Sequence, residues 1–240
     1  MTADVRDAEL PDIVAVWNLL GRLGLVDCAF NHISNCTYRS GSVFLNINPA
    51  HGGSGNLSGT DFKNLELKAY NDDDAKQFGI NPDALRLHTH IHLVRGRPGC
   101  AIHLHSPHCV AVSATEAGLM PLSQTAIEFS DRLALIEYRG LAREGFDDPE
   151  LARVAREGGE ALLRNHGLLV VADDAIQAFY AAYYLEEACR LQILTLSQGL
   201  PVHHPAKAVV VTAAAQLRSE RPLAARATFE ALSARVGLFA

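Results

Sequence analysis

The chain reads as an α/β protein, and three observations carry that expectation. Stretches with apolar residues at helical spacing alternate with short apolar runs of strand length. Turn residues, mainly glycine, asparagine, aspartate and serine, separate them. The 240 residues at 48% hydrophobic content can bury a full core, so one large domain, or one domain with a short helical tail, is expected.

Ile13, Val16, Trp17, Leu20 and Leu23 recur at helical spacing after Pro11, which predicts a first helix ending near Gly24. FNHISNCTY and the alternating run around Val43, Leu45 and Ile47 predict two strands joined by a turn at Ser40, Gly41 and Ser42. AHGGSGNLSGT is a glycine-rich loop without the lysine or spacing of a phosphate-binding P-loop. A strand at Leu65, Leu67 and Ala69 is followed by NDDDAKQFG, read as a polar turn, and by a helix from Leu85 to Val94. On that helix His88 and His92 share a face, while His90 points about 200° away from His88.

Cys100, Ala101 and Ile102 form a short strand leading into AIHLHSPH, and Pro107 opens a helix that continues through HCVAVSATEAG. LALIEYRG is a strand; DPELARVAREGGEALL is read as one helix with an aspartate cap and Pro149 in its first turn. LLVV after Gly167 is another strand, and Ile176, Phe179, Tyr180, Tyr183, Leu191 and Leu194 mark a long helix over 174–198. PVHHPAK is a linker with His203 and His204 in solvent, and two weaker helical segments close the chain. The expected division is a domain over 1–200 and a helical extension over 201–240, packed on that domain or on a neighbouring subunit.

The 27 acidic and 21 basic residues give a mildly negative chain with no run of lysine or arginine, which argues against nucleic acid or a membrane surface as partner. Five cysteines, Cys28, Cys36, Cys100, Cys109 and Cys189, are widely spaced and read as reduced thiols. MTADVRDAEL lacks the basic and apolar regions of a signal peptide, so a cytoplasmic location is expected.

The chemistry is concentrated in histidines. Side chains at i and i+2 of a strand share a face, so His103 and His105 can grip one ion together at a strand's carboxyl end. His166 in RNHG can complete a set of three neutral imidazoles, the donor set of an open catalytic metal site rather than a closed structural one. Two histidines spaced this way are also compatible with unrelated polar residues on a strand.

AIHLHSPH, PLSQTA, EYRG, LLRNHGLLV and YYLEEACRLQ stand in the order, and at about the separations, of the class II aldolase and adducin family. VWNLLGRLGLVDCAFNHIS is similar to that family's first helix and strand, so the resemblance spans residues 8–200. It implies a three-layer α/β/α fold with a central, mainly antiparallel sheet, and a homo-oligomer, tetramer or dimer, with active sites between subunits. It also implies His103, His105 and His166 as ligands of a divalent metal, zinc foremost, with manganese, cobalt or iron as the other candidates.

Two departures stand out. The family's sugar-phosphate aldolases carry Ser-Ser-Glu before the metal strand, the glutamate serving in proton transfer; here those places hold Pro82, Asp83 and Ala84. Their phosphate cradle uses a Gly-Asn pair where this chain has Asn31 and His32, which disfavours a phosphorylated substrate. The resemblance therefore implies a metal-dependent carbon–carbon lyase, a decarboxylase of a non-phosphorylated keto or hydroxy acid, aromatic acids included, working through a metal-stabilised enolate. His32 and His88 are the candidate catalytic groups, because they border the two altered motifs. Asn31 and Gln124 are the candidate substrate-binding groups, with further contacts expected near His51. An aldolase for a non-phosphorylated hydroxy-keto acid, an iron-dependent oxygenase and an adducin-like domain without chemistry stay open beside it.

Overall fold

The computed structural model describes residues 6–27, 30–39, 42–49, 57–140 and 146–238. Its frame is a seven-stranded sheet of order β3-β2-β1-β4-β7-β6-β5. The strands are β1 (His32–Arg39), β2 (Ser42–Ile47), β3 (Lys63–Glu66), β4 (Gly99–Leu104), β5 (Ala134–Ile136), β6 (Gly159–Leu163) and β7 (Gly167–Ala172). Every neighbouring pair is antiparallel except β5 and β6.

Strand alternation sorts the side chains onto two helix layers. Ile33 of β1, Cys100, Ile102 and Leu104 of β4 and Leu168 and Val170 of β7 face α1 (Arg6–Arg22), α4 (Pro107–Ser113), α7 (Ala175–Leu196) and the second half of α8 (Lys207–Arg235), where Trp17, Phe179 and Phe229 are buried. On the other face, Ala101, Leu169 and Val171 pack against Ile91 of α3 (Pro82–Arg95) and Val154 of α6 (Pro149–Glu157). Leu45 and Ile47 of β2 meet Ala75 of α2 (Asp72–Phe78) and Ala84 and Leu85 of α3. The expected α/β/α layering and mainly antiparallel sheet are present. Each large apolar side chain so enclosed contributes about 1.5–3 kcal/mol relative to exposure.

Four local expectations are corrected. NDDDAKQFG is not a turn but α2, because Asn71 and Asp74 form a reciprocal capping box and Gly79 closes the helix in the left-handed region. The helix begun at Pro149 stops at Glu157: Gly158 and Gly159 both take positive φ, and GEALL runs on as β6. β3 ends at Glu66, before Leu67 and Ala69. The C-terminal segments form one helix, α8, continuous through Pro222. Proline removes only one ladder bond there, and buried contacts on both sides, Val210 and Ala214 before it and Ala225, Phe229 and Leu232 after it, hold the helix together. The short α5 (Gln124–Ile127), capped by Ser123, was not expected. Cys28, the Ser40 and Gly41 of the first hairpin turn, His51 and the glycine-rich string up to Asn56 lie outside the described residues. Cys36, Cys100, Cys109 and Cys189 are free and buried, and no described helix is long and apolar enough to cross a membrane.

Candidate metal centre

β4 delivers His103 from its last turn of pleat and His105 from just beyond its end. His166 arrives from the β6–β7 connection, where Asn165 takes a positive φ of 57°, a conformation asparagine tolerates better than most residues. Leu163 accepts a hydrogen bond from the His166 N–H at 3.0 Å. Gly167 follows because no side chain fits: a Cβ there would lie 2.2 Å from the Leu104 carbonyl oxygen and 3.2 Å from the His105 Cα.

The ring nitrogens converge. His105 Nε2 stands 3.0 Å from His103 Nε2 and 3.0 Å from His166 Nε2, and one nitrogen from each of the three rings lies within 4.8 Å of the others. The Leu168 carbonyl accepts from His103 Nδ1 at 2.8 Å, and Asp27 Oδ2 accepts from His105 Nδ1 at 2.9 Å. In the neutral form that metal ligation requires, with Nδ1 of each ring donating to these acceptors, bare lone pairs face each other at Nε2, 3.0 Å apart. Lone pairs at that distance repel unless a cation lies between them. Nitrogen ligands around a tetrahedral ion with bonds of about 2.0–2.1 Å stand about 3.3 Å apart, so this donor set fits a divalent metal, and the carboxylate and carbonyl behind it are the usual second-sphere orienters of metal-bound histidine.

Burial favours the neutral form that ligation requires. Desolvation pushes His103 well below the usual imidazole range, with His32, His166 and His105 adding to it. His166 is lowered mainly by burial, against which the charge of Asp83 acts in the opposite direction. Asp83 itself pairs with Arg86, while Ala84 beside it is buried against the sheet.

His32 pairs directly with His103 across the β1–β4 ladder, and its ring stacks on that of His103 at 5.5 Å. It is 7% exposed, and neither ring nitrogen has a hydrogen-bond partner among the described residues. Burial first, then His88, His105 and His166, hold it well below the usual imidazole range. His88 lies behind it, fully buried and edge-on at 5.8 Å. The Ser34 hydroxyl sits 2.5 Å from His88 Nδ1 and 2.8 Å from His92 Nε2, which confirms the shared face of those two. His90 points elsewhere, against Phe146.

Asn31 is buried at the same corner. Its Oδ1 accepts from the His105 N–H at 2.9 Å, its carbonyl accepts from Asn48 Nδ2 at 3.2 Å, and its own Nδ2 has no partner among the described residues. Two rings flank the triad from solvent, Phe30 at 6.5 Å from His105 and Tyr138 at 6.0 Å from His166, both more than half exposed. Gln124 is not brought to this corner: it is exposed at the start of α5, and among the described residues no hydrogen bond joins it to the triad. His203 and His204 are exposed, as expected. Asp27, which sequence reading passed over, had one signal: an acidic side chain just ahead of the Phe30–Asn31–His32 corner, where its Oδ1 also accepts from the Phe30 N–H at 2.9 Å.

Two expectations follow. Asp27→Ala frees the His105 ring and is expected to weaken divalent-metal affinity about 10- to 100-fold; competition against a chromophoric chelator checks it, and unchanged affinity would remove Asp27 from the centre. Acid lability is the second. His92 is pushed down to about 3 by burial and by Arg95, and burial likewise depresses His88 and His32. Above pH 6.5 both folded and unfolded chains hold these rings neutral, whereas below 6.5 the unfolded chain binds protons that the folded one refuses, for His92 down to about 3. Stability of the metal-free protein therefore falls as pH drops through that window, by up to about 1.4 kcal/mol per pH unit for each ring. Urea midpoints measured from pH 7.5 to 5 should decline steadily, and a flat series would contradict the burial.

Comparison with known proteins agrees with this architecture. The model of the Class II Aldolase and Adducin N-terminal domain matches residues 11–193. A Caulobacter vibrioides protein named "Putative aldolase class 2 protein" is 32% identical over 191 residues, 78% of this chain and 72% of its own. Rattus norvegicus beta-adducin is 35% identical over 123 residues, 51% of this chain but 17% of the adducin. The crystal structure of an aldolase II superfamily protein from Pseudomonas syringae superposes with a TM-score of 0.82 at 25% identity, covering 98% of this chain and 94% of that one. The chain thus belongs to the class II aldolase and adducin family.

Proposed function

We propose that the protein is a divalent-metal-dependent carbon–carbon lyase, and that its reaction is decarboxylation of a non-phosphorylated keto or hydroxy carboxylic acid. The observation that carries this reading is the convergence of the His103, His105 and His166 Nε2 atoms, beside two buried polar groups without partners among the described residues, Asn31 Nδ2 and His32. A divalent ion held by the three imidazoles supplies a Lewis acid that lowers the energy of negative charge developing on a substrate oxygen.

The remaining work falls to side chains. Asn31 Nδ2 is a buried donor without a partner among the described residues, and in this reading it orients a carboxylate or keto oxygen at the triad. When the carboxyl group leaves as CO2, the electron pair of the broken bond stays on the adjacent carbon, which must then take up one proton. His32, kept neutral by burial, can release a proton from one nitrogen to that carbon while its other nitrogen takes one up from a solvent water, and so delivers the proton the reaction consumes without staying charged. His88 stands edge-on behind His32 and holds its ring in place. No lysine or arginine among the described residues bonds to the triad, Asn31 or His32, and the Arg86 guanidinium is shared by Asp72 and Asp83. An unphosphorylated substrate is supported by the Asn31 and His32 corner, where two buried side chains stand in the place of the phosphate cradle's Gly-Asn pair.

A panel of β-keto and hydroxy acids offered to the metal-loaded protein tests the reading. Release of CO2, lost in His32→Ala and His103→Ala, is expected; aldehyde without CO2 would make it an aldolase, and oxygen uptake on iron loading an oxygenase. The similarity to beta-adducin favours a second reading, a domain that binds without catalysis, and absence of stoichiometric metal both as purified and after reconstitution would remove the main support of the enzyme reading in its favour.

A further inference from the structure

Glu186 is a carboxylate in an otherwise apolar layer. It lies on α7 among Ala182, Leu185 and Cys189, all buried against the sheet, and is itself 4% exposed. An isolated charge in such a place is costly unless several donors serve it. Those donors come from the segment that follows the metal strand.

That segment has a capping problem. After His105, Ser106 is the N-cap of α4 and Pro107 its first residue. Proline offers no N–H, and Ser106 makes no side-chain capping bond to the helix backbone, which leaves the next amides in need of an acceptor. Glu186 provides it from the neighbouring helix. It accepts from the His108 N–H at 3.2 Å, from the Cys109 N–H at 2.9 Å and from His108 Nδ1 at 2.7 Å. Burial alone would raise its carboxyl, but the bonds led by those from His108 and Cys109 outweigh burial and keep it below the usual glutamate range.

His105 is thereby bracketed. Its own N–H is held by Asn31, its ring by Asp27, and the backbone three and four residues further on by Glu186. We propose that Glu186 is a positioning residue for the metal centre, a cap supplied by α7 that fixes the Ser106–Cys109 corner and through it the direction of the His105 imidazole. The inference rests on the reading of the triad as a metal centre. Glu186 reaches no ligand ring; it acts through the backbone.

Glu186→Gln preserves the shape but must turn an NH2 group toward an amide N–H, and Glu186→Asp keeps the charge while shortening the reach. His108→Ala removes the ring and leaves both backbone bonds. Divalent-metal affinity is read by chelator competition, with the visible spectrum of the cobalt-loaded protein as a report on ligand geometry and the melting temperature as a control for folding. E186Q is expected to bind metal about 10- to 100-fold more weakly, with a shifted cobalt spectrum, E186D to lie between it and wild type, and H108A to stay within about threefold of wild type. A folded E186Q with wild-type affinity and spectrum would overturn the proposal, as would equal losses in E186Q and H108A. If E186Q does not fold, wild-type affinity in E186D overturns it. Wild-type protein that binds no stoichiometric ion would bring down the metal-centre reading and the clamp with it; binding in wild type with no effect at Glu186 sinks the clamp alone.

Discussion

Gly167→Ala is expected to abolish tight metal binding and to cost about 3 kcal/mol of stability, the upper end of the usual overpacking range. The added methyl would lie 2.2 Å from the Leu104 carbonyl oxygen and 3.1 Å from its carbon, with the His105 Cα at 3.2 Å. These are backbone atoms of β4 and of the residue next to it, so no side-chain rotation relieves the clash. Either β7 retreats from β4, breaking the Leu104–Leu168 end of the ladder, or the His105 backbone moves. In both cases the His103 Nδ1 bond to Leu168 and the spacing of the three Nε2 atoms are disturbed together. Urea unfolding combined with metal titration checks it: a variant of wild-type stability that binds metal normally would show that the close approach is not what seats His105 against His166.

Arg221→Met is expected to destabilise the protein by about 3–5 kcal/mol, for a different reason. The guanidinium reaches down from α8 between two carboxylates, Glu128 and Glu160, that are 3% and 4% exposed as side chains. Its Nε donates to Glu128 Oε1 at 2.6 Å, its Nη1 donates to Glu160, and the Tyr180 hydroxyl donates to the other Glu128 oxygen at 3.2 Å. The Phe129 ring lies beside the guanidinium at 5.5 Å. Methionine fills much of the space but leaves two buried negative charges without their cation, and breaking a buried pair from one side carries that cost. Urea titration of variant and wild type at pH 7.5 measures the loss. A loss under about 1 kcal/mol would mean that the lock between α8 and the sheet is not electrostatic.

The histidine set was legible because it obeys short-range rules. His103 and His105 share a strand-end by period-two alternation, and His88 and His92 share a helix face by helical periodicity; both relations survive in the structure. His32 was reached only through motif comparison, and what gives it interest, stacking on His103 across an antiparallel register, is a pairing between strands far apart in the chain. Asp27 and Glu186 escaped for the same reason: each meets its histidine about 78 residues away, a distance no local pattern encodes. Gln124 was placed at the site on its motif alone, and the single chain leaves it in solvent on α5. The misread turn at Asn71–Phe78 shows a subtler limit. Its three consecutive aspartates look like loop composition, yet at a helix N-terminus they complement the dipole and one of them closes a capping box.

Metal content is the measurement on which the account stands. Protein purified without added metal, then reconstituted with zinc or cobalt and freed of excess ion, should carry one divalent ion per chain by elemental analysis. His105→Ala should reduce that to a small fraction while leaving the fold intact, because two of the three converging contacts pass through its Nε2. A wild-type protein without stoichiometric metal, or a His105→Ala variant that binds as tightly as wild type, would contradict the reading of these three histidines as a metal centre.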